Sequence, residues 1–248
     1  MSNNEPSKKS TSRREKIVKL VRKKGFVPIS MLAENLGVTP QTIRRDINKL
    51  CDGGVLRRYH GGAGLVSSTE NIDYENRQEI QHKEKQAIAK RIADYIPNNV
   101  SLFINIGTTN EEISQALLKH KNLKVVTNNL NVANILSRND SFEVIIAGGT
   151  VRSRDQGITG EATIDLIQQF KVDFGIIGIS AIDEDGSLMD FDYHEVRVTQ
   201  AIIRNSRQTL LAADNSKYGR NAMVKLGHLS QIDIWFTNDP PPLSLSTS

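Results

Sequence analysis

From Arg13 the chain acquires a helical period, with apolar residues Ile17, Leu20 and Val21 at i, i+3 and i+4. Residues 1–12, rich in Ser, Asn and Lys, carry no such period and are expected to form a disordered arm. Gly25 ends the helix. Phe26-Val27-Pro28-Ile29 reads as a short extended segment, because proline disfavours a helical conformation at the residue before it. Ser30 is placed to cap a second helix that buries Leu32, Ala33 and Leu36. After a Gly37-Val38 turn, Thr39 is a good N-cap and Pro40 takes the first helical position, where a missing N–H costs nothing. The third helix runs to about Asp52 and turns Ile43, Ile47 and Leu50 inward. Gly53-Gly54 breaks the chain, and Val55 to Ala63 reads as a strand ending in a glycine turn.

Residues 64–76 have no apolar period and are expected to be a tether. Arg77 to about Ile96 predicts one helix with Ile80, Ala87, Ile88, Ile92 and Tyr95 along one side, stopped by Pro97-Asn98-Asn99. Such a helix packs on the body and is suited to carry a signal to the head. Beyond it, strand-length apolar runs at Val100–Ile106, Lys124–Thr127, Glu143–Ala147, Asp173–Ser180, Thr209–Ala213 and Ile232–Thr237 alternate with helices near 109–119, 131–137, 161–169 and 194–205. Near-continuous apolar strands between helices imply a mainly parallel sheet covered on both faces. The fold class is therefore α/β, with an N-terminal winged helix-turn-helix over 13–68 (its motif at 30–49) and a C-terminal domain over 77–240.

Charge sharpens this division. Residues 1–60 hold 14 Lys and Arg against five acids, whereas the remainder holds 18 basic and 23 acidic residues, so a basic head sits on a mildly acidic body. No apolar run reaches the roughly 18 residues needed to span a bilayer, and the polar, basic N-terminus lacks a secretory core, so a cytoplasmic location and no membrane partner are expected. The single cysteine, Cys51, forms neither an internal disulfide nor a cysteine-rich zinc site, and reads as a small packed group beside Ile47 and Leu50. No metal is expected.

Two short helices joined by a glycine turn present the second of them to the major groove of double-stranded DNA. With Ile43, Ile47 and Leu50 inward, the residues left to face DNA are Thr39, Gln41, Thr42, Arg44, Arg45, Asn48 and Lys49. Gln pairs bidentately with adenine and Arg with guanine. The following strand and turn form a wing, whose Arg57, Arg58 and His60 reach phosphates or a minor groove.

In the body, ligands are expected beyond the carboxyl ends of the strands. Gly107-Thr108-Thr109 opens a helix after the first strand, with backbone N–H groups and hydroxyls suited to a phosphate. Thr127-Asn128-Asn129, Gly148-Gly149, Arg152, Glu161 and Lys217 stand at or after other strand ends. Together they predict a small phosphorylated metabolite as ligand.

The run Thr39-Pro40-Gln41-Thr42-Ile43-Arg44-Arg45-Asp46, followed by Arg58-Tyr59-His60-Gly61-Gly62-Ala63, resembles the DeoR family of transcriptional regulators. Ile106-Gly107-Thr108-Thr109, the segment Val126 to Asn134, Phe191-Asp192-Tyr193-His194-Glu195-Val196-Arg197 and Gly219-Arg220-Asn221-Ala222-Met223-Val224 resemble the branch of that family devoted to glycerol 3-phosphate metabolism. The resemblance covers about residues 13–240. It implies a repressor with a sugar-phosphate-isomerase-like sensor domain, which a homo-oligomer (dimer or tetramer) holds on operator DNA until glycerol 3-phosphate, the effector, releases it. No cofactor and no catalysis are expected. The alternatives are a DeoR-type repressor answering to another phosphorylated sugar, an activator of the same build, and an isomerase-like enzyme using Asp190, Asp192, Glu195 and Lys217. The chain stops soon after Pro240-Pro241-Pro242, where relatives continue through a further helix and strand, so a sheet edge or protomer contact is expected to differ.

Overall fold

The computed structural model describes residues 8–24, 26–59, 61–64 and 74–239. The head comprises α1 (Lys8–Lys24), β1 (Phe26–Pro28), α2 (Ile29–Leu36), α3 (Pro40–Asp52), β2 (Arg57–Tyr59) and β3 (Gly62–Gly64). Its core joins Ile17, Val21, Val27, Leu32, Ile43, Ile47, Leu50 and Leu56. Gly37 adopts the left-handed conformation (φ 61°) that closes α2, and the Thr39 hydroxyl accepts from the Thr42 amide to start α3. The expected Ser30 cap is not made: α2 already begins at Ile29, and Pro28 precedes it in extended conformation. The first helix starts at Lys8 rather than Arg13, so part of the expected arm is helical. The wing is a three-stranded antiparallel sheet in the order β1-β3-β2, not one strand ending in a turn. Of the expected tether, 65–73 lies outside the described residues, as do 1–7 of the arm and the terminal 240–248.

The connecting segment is two helices, α4 (Tyr74–Glu79) and α5 (His82–Tyr95), where one was expected. Gln81 breaks them by taking the left-handed conformation (φ 54°). The buried face of α5 is Lys85, Ile88, Ala89, Ile92 and Ala93, a regular i, i+3, i+4, i+7, i+8 stripe. Ala87 points outward, and Tyr95 is 41% exposed.

The body continues with β4 (Ser101–Ile104), α6 (Thr108–Leu117), β5 (Lys124–Thr127), α7 (Leu130–Leu136), β6 (Glu143–Ile146), β7 (Thr150–Val151), β8 (Ile158–Thr159) and α8 (Glu161–Gln168). It ends with β9 (Val172–Gly178), β10 (Ala181–Ile182), β11 (Ser187–Asp190), α9 (Tyr193–Arg204), β12 (Ser206–Ala212), β13 (Val224–His228) and β14 (Ile234–Phe236). Six strands form an all-parallel sheet in the order β14-β12-β9-β4-β5-β6. Alternate residues of each strand point to opposite faces, and both faces are covered. Leu102, Ile104, Val125, Ile176 and Leu210 pack with α5, α6 and α7, while Phe103, Val126, Ile177 and Leu211 pack with α8 and α9. That double burial is why the strands read as continuous apolar runs. A smaller antiparallel sheet, β10-β11-β13, and the hairpin β7-β8 lie outside the main sheet. From β4 the chain winds to β5 and β6 on one side, then returns to β9, β12 and β14 on the other. The order therefore reverses between β4 and β9, and a crevice opens beyond their carboxyl ends. Among the described residues, no helix is long and apolar enough to cross a membrane.

Candidate DNA-reading face and effector cleft

On α3 the inward stripe is Ile43, Ile47 and Leu50, joined by Asp46, whose carboxylate pairs with Arg13 Nε at 2.5 Å. Gln41, Arg44, Arg45, Asn48 and Lys49 are exposed, while Thr42 is half-buried, its hydroxyl 3.0 Å from that of Thr39. The Asn48 side-chain oxygen accepts from Arg58 Nη1 at 3.2 Å, which ties the recognition helix to the wing. Arg57 is exposed beside it. His60 lies outside the described residues. The Cys51 thiol is pushed up by burial and by the Asp52 charge, away from reactivity, as its packed reading requires.

Arg44, Arg57 and Arg58 also line one wall of a groove whose other wall is an acidic turn of the body, Asp183-Glu184-Asp185. An anion held opposite the wing competes with DNA phosphates for it. Replacing all three acids with their amides is expected to tighten binding to any duplex roughly threefold to tenfold at low salt, and much less at high salt. Equal affinities in a fluorescence titration at low salt would show that the turn does not compete.

The crevice at the strand-order reversal is built from Gly107 and the start of α6. Gly107 has φ 143°, a conformation closed to other residues, and its carbonyl accepts from the Glu111 amide. The Thr108 hydroxyl donates to the Arg77 carbonyl at 3.4 Å, and Lys85 Nζ donates to the same oxygen. The connecting helices thus supply two cations to the mouth of α6. Lys217 and Arg220, from the loop after β12, line the same cleft as Arg77 and Lys85, with Asp214 among them. Burial, reinforced by the charge of Lys217, lowers Lys85 to about 8. Burial lowers Lys217 to about 8 as well, opposed by Asp214 and assisted by Arg220 and Arg77. Arg220 is lowered to about 10 by burial. Arg77 Nε is buried with no hydrogen-bond partner among the described residues. Cations packed this closely, with depressed pKa values and an orphaned donor, form a site for an anion.

Beside it lies a second group. Arg152 pairs with Asp155 (2.8 Å), Asp192 (2.9 Å) and Glu195 (2.8 Å). Burial alone would lower this guanidinium, but the charges of Glu195 and Asp155 raise it above its usual value. Burial and the neighbouring Asp190 push Glu195 up to about 7, against the pull of Arg152. The Asp190 carboxylate, itself raised by burial, accepts from Ser180 Oγ at 3.0 Å.

The remaining expected residues are placed as follows. Thr127 donates to the Ile104 carbonyl, Asn128 donates to the Ile158 carbonyl, and Asn129 caps α7 while donating to Glu111. Asn128 Oδ1 is buried with no partner among the described residues. Thr109 is buried one residue into α6. The Gly148 carbonyl accepts from the Thr163 hydroxyl at 2.7 Å. Gly149 (φ 150°) is fixed by packing, since a Cβ there would meet Thr163 Oγ1 at 2.3 Å and the Thr159 carbonyl at 2.7 Å. Gly149→Ala is expected to cost about 2 kcal/mol or more, visible as a lowered thermal midpoint; an unchanged midpoint would contradict the clash. Glu161 stays at the surface, its side chain 76% exposed and 3.7 Å from Arg197, and does not enter the crevice. Arg77, Lys85 and Arg220 were missed by sequence reasoning. The signals were a lysine on the apolar stripe of α5, and Gly219-Arg220 two residues beyond Lys217.

Comparison with known proteins gives two family models along the chain. A model of the DeoR-like helix-turn-helix domain matches residues 13–69, and one of the DeoR C terminal sensor domain matches residues 80–239. The chain is 53% identical to the glycerol-3-phosphate regulon repressor of Escherichia coli (strain K12) over 96% of this chain and 94% of that protein. It is 42% identical to the HTH-type transcriptional repressor CsqR of the same organism, over 95% of this chain and 90% of that one. Among solved structures, ribose 5 phosphate isomerase A from Neisseria gonorrhoeae aligns with 57% of this chain and 54% of its own, at 16% identity and a TM-score of 0.41.

Proposed function

The chain belongs to the DeoR family and is a DNA-binding transcriptional repressor, and from that premise we propose that it silences genes of glycerol 3-phosphate metabolism until glycerol 3-phosphate binds the body and releases it. The observation that carries the effector reading is the cation cluster at the strand-order reversal, in which Lys85 and Arg220 are buried and Arg77 and Lys217 half-buried. A phosphate dianion there would neutralise mutually repelling cations and accept from the Arg77 Nε, with the α6 N-terminus at Gly107, Thr108 and Thr109 beside it. Asp190 and Glu195 offer acceptors to the hydroxyl groups of the ligand. Arg152, held by three carboxylates, positions Glu195 and Asp192 rather than binding phosphate. On the DNA side, Gln41, Arg44 and Arg45 read bases while Lys49, Arg57, Arg58 and His60 hold phosphates. The protein acts in the cytoplasm, as a dimer or tetramer that pairs two heads on one operator.

The cluster makes effector affinity depend on pH. Facing the phosphate are Arg77, Lys85, Lys217 and Arg220, with Asp190, Asp214 and Glu112 as the surrounding acids. Both lysines titrate near 8, and a bound dianion raises their pKa, so binding takes up protons and weakens as pH rises from 7 to 10. Calorimetric titration in buffers of different ionisation heat reads both effects. Constant affinity across that range, with no proton uptake, would remove the lysines from the site.

A further inference from the structure

The wall of the cation cleft that faces the head is not part of the body. Phe26, on β1 of the wing sheet, lines the cleft together with Arg77, Lys85, Lys217 and Arg220. Phe26 (2% exposed), Tyr59 (6%) and Ile80 (5%) form a closed apolar cluster of their own, two members from the head and one from the break between α4 and α5. The two rings meet edge to face with centroids 6.0 Å apart. Tyr59 on β2 is also seated on the body, where its phenol oxygen accepts from the Asn221 backbone amide next to Arg220.

Two features make this wall consequential. The free space within the cleft is about 10 Å³, room for one water and not for a phosphomonoester. The backbone that carries Phe26 is also tied to its neighbours. Its strand pairs with β3 through Phe26↔Gly64, Val27↔Ala63 and Pro28↔Gly62. Gly62 presses on its ring so closely that a Cβ there would lie 2.4 Å from Cζ. Moving β1 away from the cleft therefore displaces the wing sheet as a unit.

We propose that Phe26 plugs the effector cleft, so that seating of the head on the body and binding of a phosphorylated effector are mutually exclusive. This rests on the cleft being the effector site. The docked arrangement, held by Phe26, Tyr59 and Ile80, is the one that binds the operator, the acidic turn opposite Arg44, Arg57 and Arg58 weakening that grip without abolishing it. The effector breaks the docking to free the head. Because the competent open form is a fraction of the population, the plug lowers apparent effector affinity by that fraction, and by reciprocity it is the term through which operator and effector oppose each other.

The test uses the full-length chain with sn-glycerol 3-phosphate as the probe. Phe26→Ala and, from outside the winged fold, Ile80→Ala are compared with wild type for effector affinity and for the factor by which saturating effector weakens operator binding. Both variants are expected to bind effector about threefold to tenfold more tightly, with the coupling factor falling toward one. In the wild type, effector should also speed amide exchange in β1 and β2. A wild type that binds effector and releases DNA, alongside an Ile80→Ala variant with unchanged affinity and coupling, overturns the plug alone. A wild type that does not bind glycerol 3-phosphate overturns the functional reading and the plug with it.

Discussion

Lys217→Ala is expected to leave a repressor that holds its operator but no longer lets go, with the effector concentration needed for release raised roughly 30-fold to 1,000-fold. Lys217 is half-buried, its pKa is depressed to about 8, and it shares its cleft with Arg77, Lys85 and Arg220. Removing one charged partner from a desolvated anion contact typically costs about 2–4 kcal/mol. Lys217→Arg keeps the charge but not the compact geometry, and should fall between wild type and alanine. Titration of effector against a preformed operator complex reads both variants. Release at the wild-type concentration in Lys217→Ala would exclude this residue from the site.

The second large effect is expected on the other domain. Arg45→Ala should weaken specific operator binding about 5-fold to 150-fold, the value of one bidentate base contact of about 1–3 kcal/mol, and leave effector affinity intact. Arg45 is exposed on α3 and makes no part of the groove shared with the body, whereas Arg44 does. Lys49→Ala should instead weaken binding to all duplexes alike and reduce the salt slope by about one charge. An Arg45→Ala protein that lost effector binding equally would point to a folding defect and not to base reading.

Much of this architecture was legible from periodicity. Ile43, Ile47 and Leu50 set the orientation of α3, because a helix with one apolar stripe has one way to face its partners. The parallel strands were visible because the inner ones, β12, β9, β4 and β5, are largely buried on both faces, while the edge strand β6 kept its apolar run although it is only partly covered. The break at Gln81 was not visible, since glutamine carries no signal for a left-handed conformation. The small sheet β10-β11-β13 was missed for a related reason: its strands are short and pair across long sequence separations, as with Ser187 and His228. The candidate site divided in the same way. Gly107, Thr108 and Lys217 were found because strand ends are predictable places. Arg77 and Lys85 reach the cleft from a segment that reads as a connector, and Phe26 reaches it from the other domain, so no local pattern marked them.

A phosphorylated metabolite bound in the body is expected to release the head from DNA. The most direct test titrates sn-glycerol 3-phosphate into the complex of this protein with a duplex it has itself selected from a random pool. Glycerol and inorganic phosphate serve as controls. Operator affinity is expected to fall saturably by roughly 5-fold to 150-fold, the span of ordinary allosteric coupling, with glycerol inert. Operator affinity unchanged at saturating glycerol 3-phosphate would contradict that release.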